Sequence, residues 1–155
     1  MRARAVAGAL GAAALLCGPV AAQDMRIDPA ITEGCLSVNA ATPEACIGVA
    51  ATVCMNEPGG SSTIGMGACL GSEAELWDRR LNAAYTALRR SQDAGSADAL
   101  QAAQRAWIAF RDLSCAYERT TWGGGTGAGP AVAQCLMQMT ARQALALEAR
   151  LEEAR

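Results

Sequence analysis

The sequence contains no histidine, and all 13 of its basic residues are arginine because lysine is absent as well. Without histidine, the Ser-His and Cys-His pairs of most nucleophilic enzymes cannot be built. Without lysine, the glycine-rich stretch from Trp122 to Pro130 cannot form a P-loop, whose last glycine is followed by a lysine. We therefore expect a protein that is not an enzyme and that holds no cofactor.

The composition also disfavours nucleic acids and metal ions as partners. No basic run is longer than two residues and the 15 acidic residues outnumber the bases, so nucleic acid is not an expected partner. A zinc site needs cysteines at short spacing such as C-x-x-C, usually with histidine, and neither is present. We expect no metal.

Long hydrophobic runs are also missing, apart from one near the N-terminus. Arg2 and Arg4 precede an apolar run over residues 5–16, and small residues at 20–22 follow it. This pattern predicts a signal peptide over residues 1–22, cleaved near Ala22. No later segment is long and apolar enough for a membrane span. We expect a soluble protein in the periplasm or outside the cell.

Removal of the signal peptide leaves six of the seven cysteines and, with Arg2 and Arg4 gone, changes the net charge from −2 to −4. Leu16 stands before Cys17, where lipid attachment needs a small residue, so a lipoprotein is not expected. An even number of cysteines in an exported chain indicates disulfides, here three.

The pairing of these cysteines follows partly from the expected helices. Cys115 and Cys135 stand at the same height of an antiparallel hairpin, and Cys54 and Cys69 flank a glycine-rich turn. These two pairs leave Cys35 for Cys46. The alternative exchanges partners, joining Cys46 to Cys54 and Cys35 to Cys69.

The N-terminal part of the mature chain has weak helix signals. Residues 23–41 contain Pro29, Gly34 and few apolar side chains, so we expect an irregular lead-in. Thr42 as N-cap and Pro43 at the first helical position then predict a short helix that ends before the glycines at 59–60.

Apolar residues spaced three and four apart predict three long helices, over about 66–90, 97–121 and 131–153. The expected core stripe of the helix over 97–121 consists of Leu100, Ala103, Trp107, Phe110, Ser114 and Tyr117. The expected fold is all-α, an antiparallel bundle of three long helices plus a short N-terminal helix, stapled by disulfides. It forms a single helical domain over residues 42–155.

Two segments carry a family resemblance: "ELWDRRLNAAYTAL", and "LQAAQRAWIAFRDLSCAYE" with the glycine loop, a cysteine and "MTARQALALE" after it. They resemble the LprI-like lysozyme inhibitors, small exported proteins of the bacterial envelope. The resemblance covers about residues 35–148. It implies a small helical protein that binds and inhibits lysozyme.

Most of the residues that match the family motif fit structural roles. We expect Trp107 in the core and Asp78 in an ion pair with Arg111 across a hairpin of two long helices. The motif positions are Trp77, Asp78, Leu81, Asn82, Tyr85, Gln104, Trp107, Arg111 and Asp112.

For the lysozyme contact, the sequence favours the glycine loop. Glycines let backbone approach a cleft closely, and tryptophan is a residue type that anchors interfaces. A net charge of −4 would favour encounter with basic lysozymes. The candidate contact residues are Arg119, Thr121, Trp122, Gly123, Gly124, Gly125 and Thr126. The alternative function is a periplasmic structural or protein-interaction module without lysozyme-inhibitory activity.

Overall fold

The computed structural model describes residues 25–154, so the predicted signal peptide lies outside the described residues. Between 25 and 154 the secondary structure is helical, with no strand. The fold class is therefore all-α. The helices are α1 (Pro29–Val38), α2 (Val49–Met55), α3 (Thr63–Ser91), α4 (Ala94–Thr121) and α5 (Ala128–Glu153), with a 3-10 helix at Pro43–Cys46.

The prediction of an irregular lead-in was wrong, because α1 occupies ten residues of it. Asp28 caps α1 by accepting a hydrogen bond from Ala30 N at 2.9 Å, and Pro29 occupies the first helical position. A salt bridge holds α1 in place, since Arg80 Nη1 of α3 lies 2.8 Å from Glu33 Oε1.

The short helix expected after Thr42 is divided in two. A 3-10 helix covers Pro43–Cys46, and α2 begins only at Val49. Gly48 stands between them with φ +89°, a left-handed conformation that glycine adopts without steric cost. The chain turns at Gly48, which allows α2 to pack on both α1 and α3.

α3 and α4 match the predicted helices over 66–90 and 97–121, but each begins three residues before its predicted start. The side chain of Ser62 accepts a hydrogen bond from Gly65 N at the start of α3. Asp93 caps α4 in the same way, accepting from Ser96 N at 3.0 Å and from Ser96 Oγ at 2.7 Å. These hydrogen bonds hold the pKa of the Asp93 carboxyl below its ordinary value.

The core lies mainly between α3 and α5. Trp77 of α3 is fully buried, as are Ala141 and Ala144 of α5, whose small side chains let the two helices approach closely. The two helices run in the same direction, since Arg80 Nε pairs with Glu148 Oε1 at 3.0 Å and Met66 shares a hollow with Gln134. α4 also packs on α5 but contacts α3 less.

Three disulfides tie these elements together. Cys35–Cys46 joins α1 to the 3-10 helix, Cys54–Cys69 joins α2 to α3, and Cys115–Cys135 joins α4 to α5. The exchanged pairing of the N-terminal four cysteines is not the one in the structure. On the chain-entropy account, closing the 20-residue separation between Cys115 and Cys135 stabilises the fold by about 3 kcal/mol.

A buried carboxylate connects α2 to α3. Glu73 of α3 has no exposed surface, and its oxygens accept hydrogen bonds from Gly48 N at 2.7 Å and Ala51 N at 2.6 Å. Trp77 Nε1 donates a third bond to it at 2.9 Å. The carboxylate therefore caps the N-terminus of α2 from a neighbouring helix, where the helix dipole favours negative charge.

Candidate functional site

The glycine loop is a short connection between α4 and α5. It comprises residues 122–127, since α4 ends at Thr121 and α5 begins at Ala128. Gly123 and Gly124 have φ values of +53° and +86°, so the turn depends on backbone that other residues rarely adopt. Pro130 lies within the first turn of α5 rather than in the loop.

Trp122 is folded back against the start of α5. A Cβ atom on Gly127 would collide with the Trp122 ring, so the glycine makes room for the indole. Trp122 also borders a hollow of about 510 Å³ between α4 and α5, and 49% of the residue remains exposed. The loop is therefore a compact turn in which Trp122 packs against Gly127 and stays partly exposed. It does not extend away from the bundle.

The candidate contact residues fall into two groups. Thr121 and residues 122–126 are exposed at the end of the α4–α5 hairpin. Arg119 is also exposed, but it lies two residues before Thr121 in α4 and so points to nearly the opposite side of the helix. The loop residues lie together at the end of the hairpin, and Arg119 lies in the last turn of α4, three residues before Trp122.

The motif residues converge on a different place, a hollow of about 200 Å³ between α3 and α4. Seven of the nine motif positions line it, and two do not: Trp77 belongs to the core and Asp112 pairs with Arg111. The seven are Asp78, Leu81, Asn82, Tyr85, Gln104, Trp107 and Arg111. The motif thus shapes the junction of two long helices.

The expected ion pair between Asp78 and Arg111 is not formed. Asp78 Oδ2 accepts a hydrogen bond from Asn82 Nδ2 at 2.8 Å, one helical turn away. Arg111 instead donates to Asp112 Oδ1 at 2.9 Å and to Thr140 Oγ1 at 3.4 Å, and its guanidinium stands 5.2 Å from the Trp107 ring centre. Arg111 therefore connects α4 to α5, not to α3.

Part of the expected core stripe of α4 faces solvent. Phe110 is 63% exposed and Tyr117 is 66% exposed, whereas Trp107 is half-buried. α4 contacts α5 through another stripe, in which Gln104 bonds Gln143 at 3.0 Å and Cys115 forms its disulfide. Phe110, Leu113 and Tyr117 form an exposed apolar surface, here called the outer face of α4, and the prediction that Phe110 and Tyr117 lie in the core was wrong.

The described residues offer no metal centre. No group of three or more His, Cys, Asp or Glu side chains there is arranged to hold an ion. The six cysteines of this region are all in disulfides. No helix among residues 25–154 is long and apolar enough to cross a membrane.

Comparison with known families identifies the chain. The family described as "Lysozyme inhibitor LprI" matches residues 54–147, from the end of α2 through most of α5. The chain belongs to the LprI lysozyme inhibitor family. No curated protein and no solved structure matches the chain. The match includes both the motif hollow and the glycine loop of this LprI family member.

Proposed function

We propose that the mature protein is exported, binds a lysozyme and inhibits it, without catalytic activity of its own. The observation that carries this proposal is the family match over residues 54–147, which spans α3, α4 and most of α5. The predicted signal peptide adds the location, the periplasm or the cell exterior, where lysozymes act on the cell wall.

The glycine loop is the proposed contact surface, centred on Trp122 and residues 123–126. The Cys115–Cys135 bond clamps the hairpin a few residues below the loop on both sides, which limits the motion of its end. The indole packs closely against Gly127. A preordered aromatic side chain loses little entropy on binding, and such residues dominate interface energies.

The charge of the protein supports the same partner. After cleavage of the signal peptide the net charge is −4, since 15 acidic residues then face 11 basic ones. A basic lysozyme would be attracted over distances up to the Debye length, about 8 Å at physiological salt. Salt screens this attraction and slows association, so the inhibition constant should rise as salt is raised.

The proposal is tested by titrating oxidised protein into lysozymes of several types while the clearing of a cell-wall suspension is followed. We expect dose-dependent inhibition of at least one type. No inhibition of any type at large molar excess would overturn the proposal. A pull-down from envelope extracts that yields a specific partner but no lysozyme would instead favour the structural or interaction module.

Replacing Trp122 by alanine tests the contact surface. We expect inhibition to weaken at least about tenfold, equivalent to about 1.4 kcal/mol, because the exposed indole is the anchor of the contact. The free energy of unfolding should change by less than about 1 kcal/mol, since the ring is only half-buried. Inhibition constants and urea midpoints measure the two effects.

The matched control is Tyr117→Ala, which removes an exposed aromatic ring from the part of α4 that precedes the loop. We expect this variant to inhibit lysozyme as well as the parent protein does. Equal losses in the two variants, or no loss with Trp122→Ala, would move the contact away from the loop.

A further inference from the structure

The hollow of about 510 Å³ that Trp122 borders is a groove between α4 and α5, here called the α4–α5 groove. Its wall on α4 consists of residues four apart, which form one row along a helix surface: Phe110, Ser114, Glu118 and Trp122. Trp122 belongs to this row because its backbone, with φ −93° and ψ −2°, continues the helical conformation. From Phe110 to Trp122 the row extends about 18 Å.

The floor and the second wall of the groove come from α5. Cys135 is bonded to Cys115 of α4, so the row of Cys135 lies nearest to α4 and forms the floor, with Ala131 and Met139. Met139 Sδ lies 3.7 Å from Cys115 Sγ and 3.8 Å from Cys135 Sγ. The disulfide thus fixes the spacing of the two helices beneath an apolar, polarizable surface. The second wall is the adjacent row: Gln134, Gln138 and Arg142.

Two exposed aromatic rings stand at the ends of the wall on α4. Phe110 is 63% exposed and Trp122 is 49% exposed. Large aromatic side chains beside a depression are typical anchors of protein–protein contacts. Leu113 and Tyr117 are exposed on the outer face of α4 as well, but they do not line the groove. The groove therefore has its own pair of anchors, distinct from the rest of that face.

Two charged side chains of the groove are unpaired. Within residues 25–154, no cation or hydrogen-bond donor pairs with the carboxylate of Glu118, which is half-buried, and no acid pairs with Arg142. Glu118 lies one helical turn before Trp122, whereas Arg142 lies about 21 Å from the start of α5. The two charges thus stand at opposite ends of the groove. A half-buried carboxylate without a partner gains from a cation that another molecule brings.

The polar groups in the middle of the groove suit a polypeptide. The side-chain amides of Gln134 and Gln138 make no hydrogen bond within residues 25–154. Each amide can accept from a backbone N–H and donate to a backbone carbonyl. Aromatic anchors, free amides and an unpaired acid together fit a chain segment that carries apolar side chains and a base.

The glycine loop alone is too small to hold a protein partner tightly. Residues 122–127 are few, whereas stable interfaces use about 20–30 residues on each side. The α4–α5 groove begins at the loop, since Trp122 belongs to both. A partner that rests on the loop therefore lies at the open end of the groove.

We propose that the α4–α5 groove receives a protruding basic segment of the lysozyme, with apolar side chains against Phe110 and Trp122 and an arginine or lysine at Glu118. This inference rests on the proposed function and extends its contact from the loop about 18 Å along the hairpin. The Cys115–Cys135 bond keeps the two helices at their spacing in the free protein, so the groove needs little ordering on binding.

Phe110→Ala tests the end of the groove away from the loop. We expect the inhibition constant to rise at least about fivefold, because the variant removes an anchor while the loop stays intact. The matched control is Tyr117→Ala, which removes a ring of nearly the same exposure from outside the groove. Urea midpoints of both variants should equal that of the parent protein, since both rings are mostly exposed. Equal inhibition by the two variants would overturn the proposal.

Glu118→Gln tests the charge in the groove. We expect the inhibition constant to rise about fivefold at low salt, and the difference from the parent protein to shrink as salt screens the attraction. Glu152→Gln makes the same change in net charge at the exposed end of α5, far from the loop, and should change the constant less than about twofold. Equal losses in the two variants would show that only net charge matters, which contradicts the proposal.

Ser114→Trp fills the groove and leaves Phe110, Glu118 and Trp122 in place. We expect a folded variant to inhibit at least about tenfold more weakly, because the lysozyme segment can no longer enter. If this variant does not fold, Phe110→Ala and Glu118→Gln decide the question. Full inhibition by a folded Ser114→Trp protein would refute entry into the groove.

The same assays separate this inference from the proposed function. A parent protein that inhibits no lysozyme overturns both. A parent protein that inhibits, and that is weakened by Trp122→Ala but not by Phe110→Ala or Ser114→Trp, keeps the proposed function and overturns the groove contact alone.

Discussion

Glu73→Ala is expected to lower the free energy of unfolding by at least about 3 kcal/mol. The substitution leaves three donors without an acceptor, the buried Ala51 N and Trp77 Nε1 and the half-buried Gly48 N. An unsatisfied buried donor costs about 1–3 kcal/mol. Domains of this size have about 5–15 kcal/mol of stability in all, so this variant loses a large part of it. Urea unfolding followed by circular dichroism measures the change.

Two companion variants separate the cap from the loss of a charge. Glu75→Ala removes an exposed carboxylate two residues away, whose side chain is 63% accessible, and should change stability by less than about 0.5 kcal/mol. Glu73→Gln keeps the shape but sets an NH₂ group against an N–H donor, so we expect an intermediate loss. Equal stability of Glu73→Ala and Glu75→Ala would show that the cap is unimportant.

Gly65→Ala should destabilise the protein by about 2–3 kcal/mol or more. Gly65 lies in the first turn of α3 and is buried against the preceding turn. A Cβ atom there would lie 2.8 Å from both Cα and O of Gly60 and would also collide with the carbonyl of Gly59. Since these are backbone atoms, no side chain can move aside and the turn itself must shift. Thermal unfolding measures the effect.

The matched substitution is Gly67→Ala, two residues further along α3. No atom outside the adjoining backbone lies within 4 Å of a Cβ at this position. Alanine is favoured over glycine in a helix by about 1 kcal/mol, so this variant should be more stable than the parent protein. The opposite signs of the two changes are the result to check. Destabilisation by both would mean that α3 tolerates no side chain at either glycine.

Apolar periodicity was sufficient to predict the long helices, although each was predicted to begin three residues too late. α3 and α4 carry apolar residues at helical spacing and begin after Ser62 and Asp93, whose side chains bond the first turns. The short α1 was missed because ten residues are too few to show a repeated apolar stripe, although Asp28 followed by Pro29 is a start signal. Its stability comes from a disulfide and from Arg80, which are contacts distant in sequence.

Features that depend on how the helices pack on one another could not be predicted from apolar periodicity alone. In the sequence, Glu73 looks like any exposed acidic residue of a helix. Only the packing of α2 on α3 buries its side chain. Phe110 and Tyr117 fit a core stripe by spacing, but α4 turns a neighbouring stripe towards α5. Period and composition identify an apolar stripe, whereas only tertiary contacts decide whether the same chain or a partner covers it.

Sedimentation of the protein mixed with each lysozyme type at low salt tests directly whether it binds lysozyme. We expect lysozyme to move into a faster boundary that contains both proteins, and we expect this boundary to lose lysozyme in the Trp122→Ala variant. Binding should saturate at one lysozyme per loop, whether or not the protein dimerises. Separate boundaries at every mixing ratio, with the lysozyme in the mixture fully active, would contradict it.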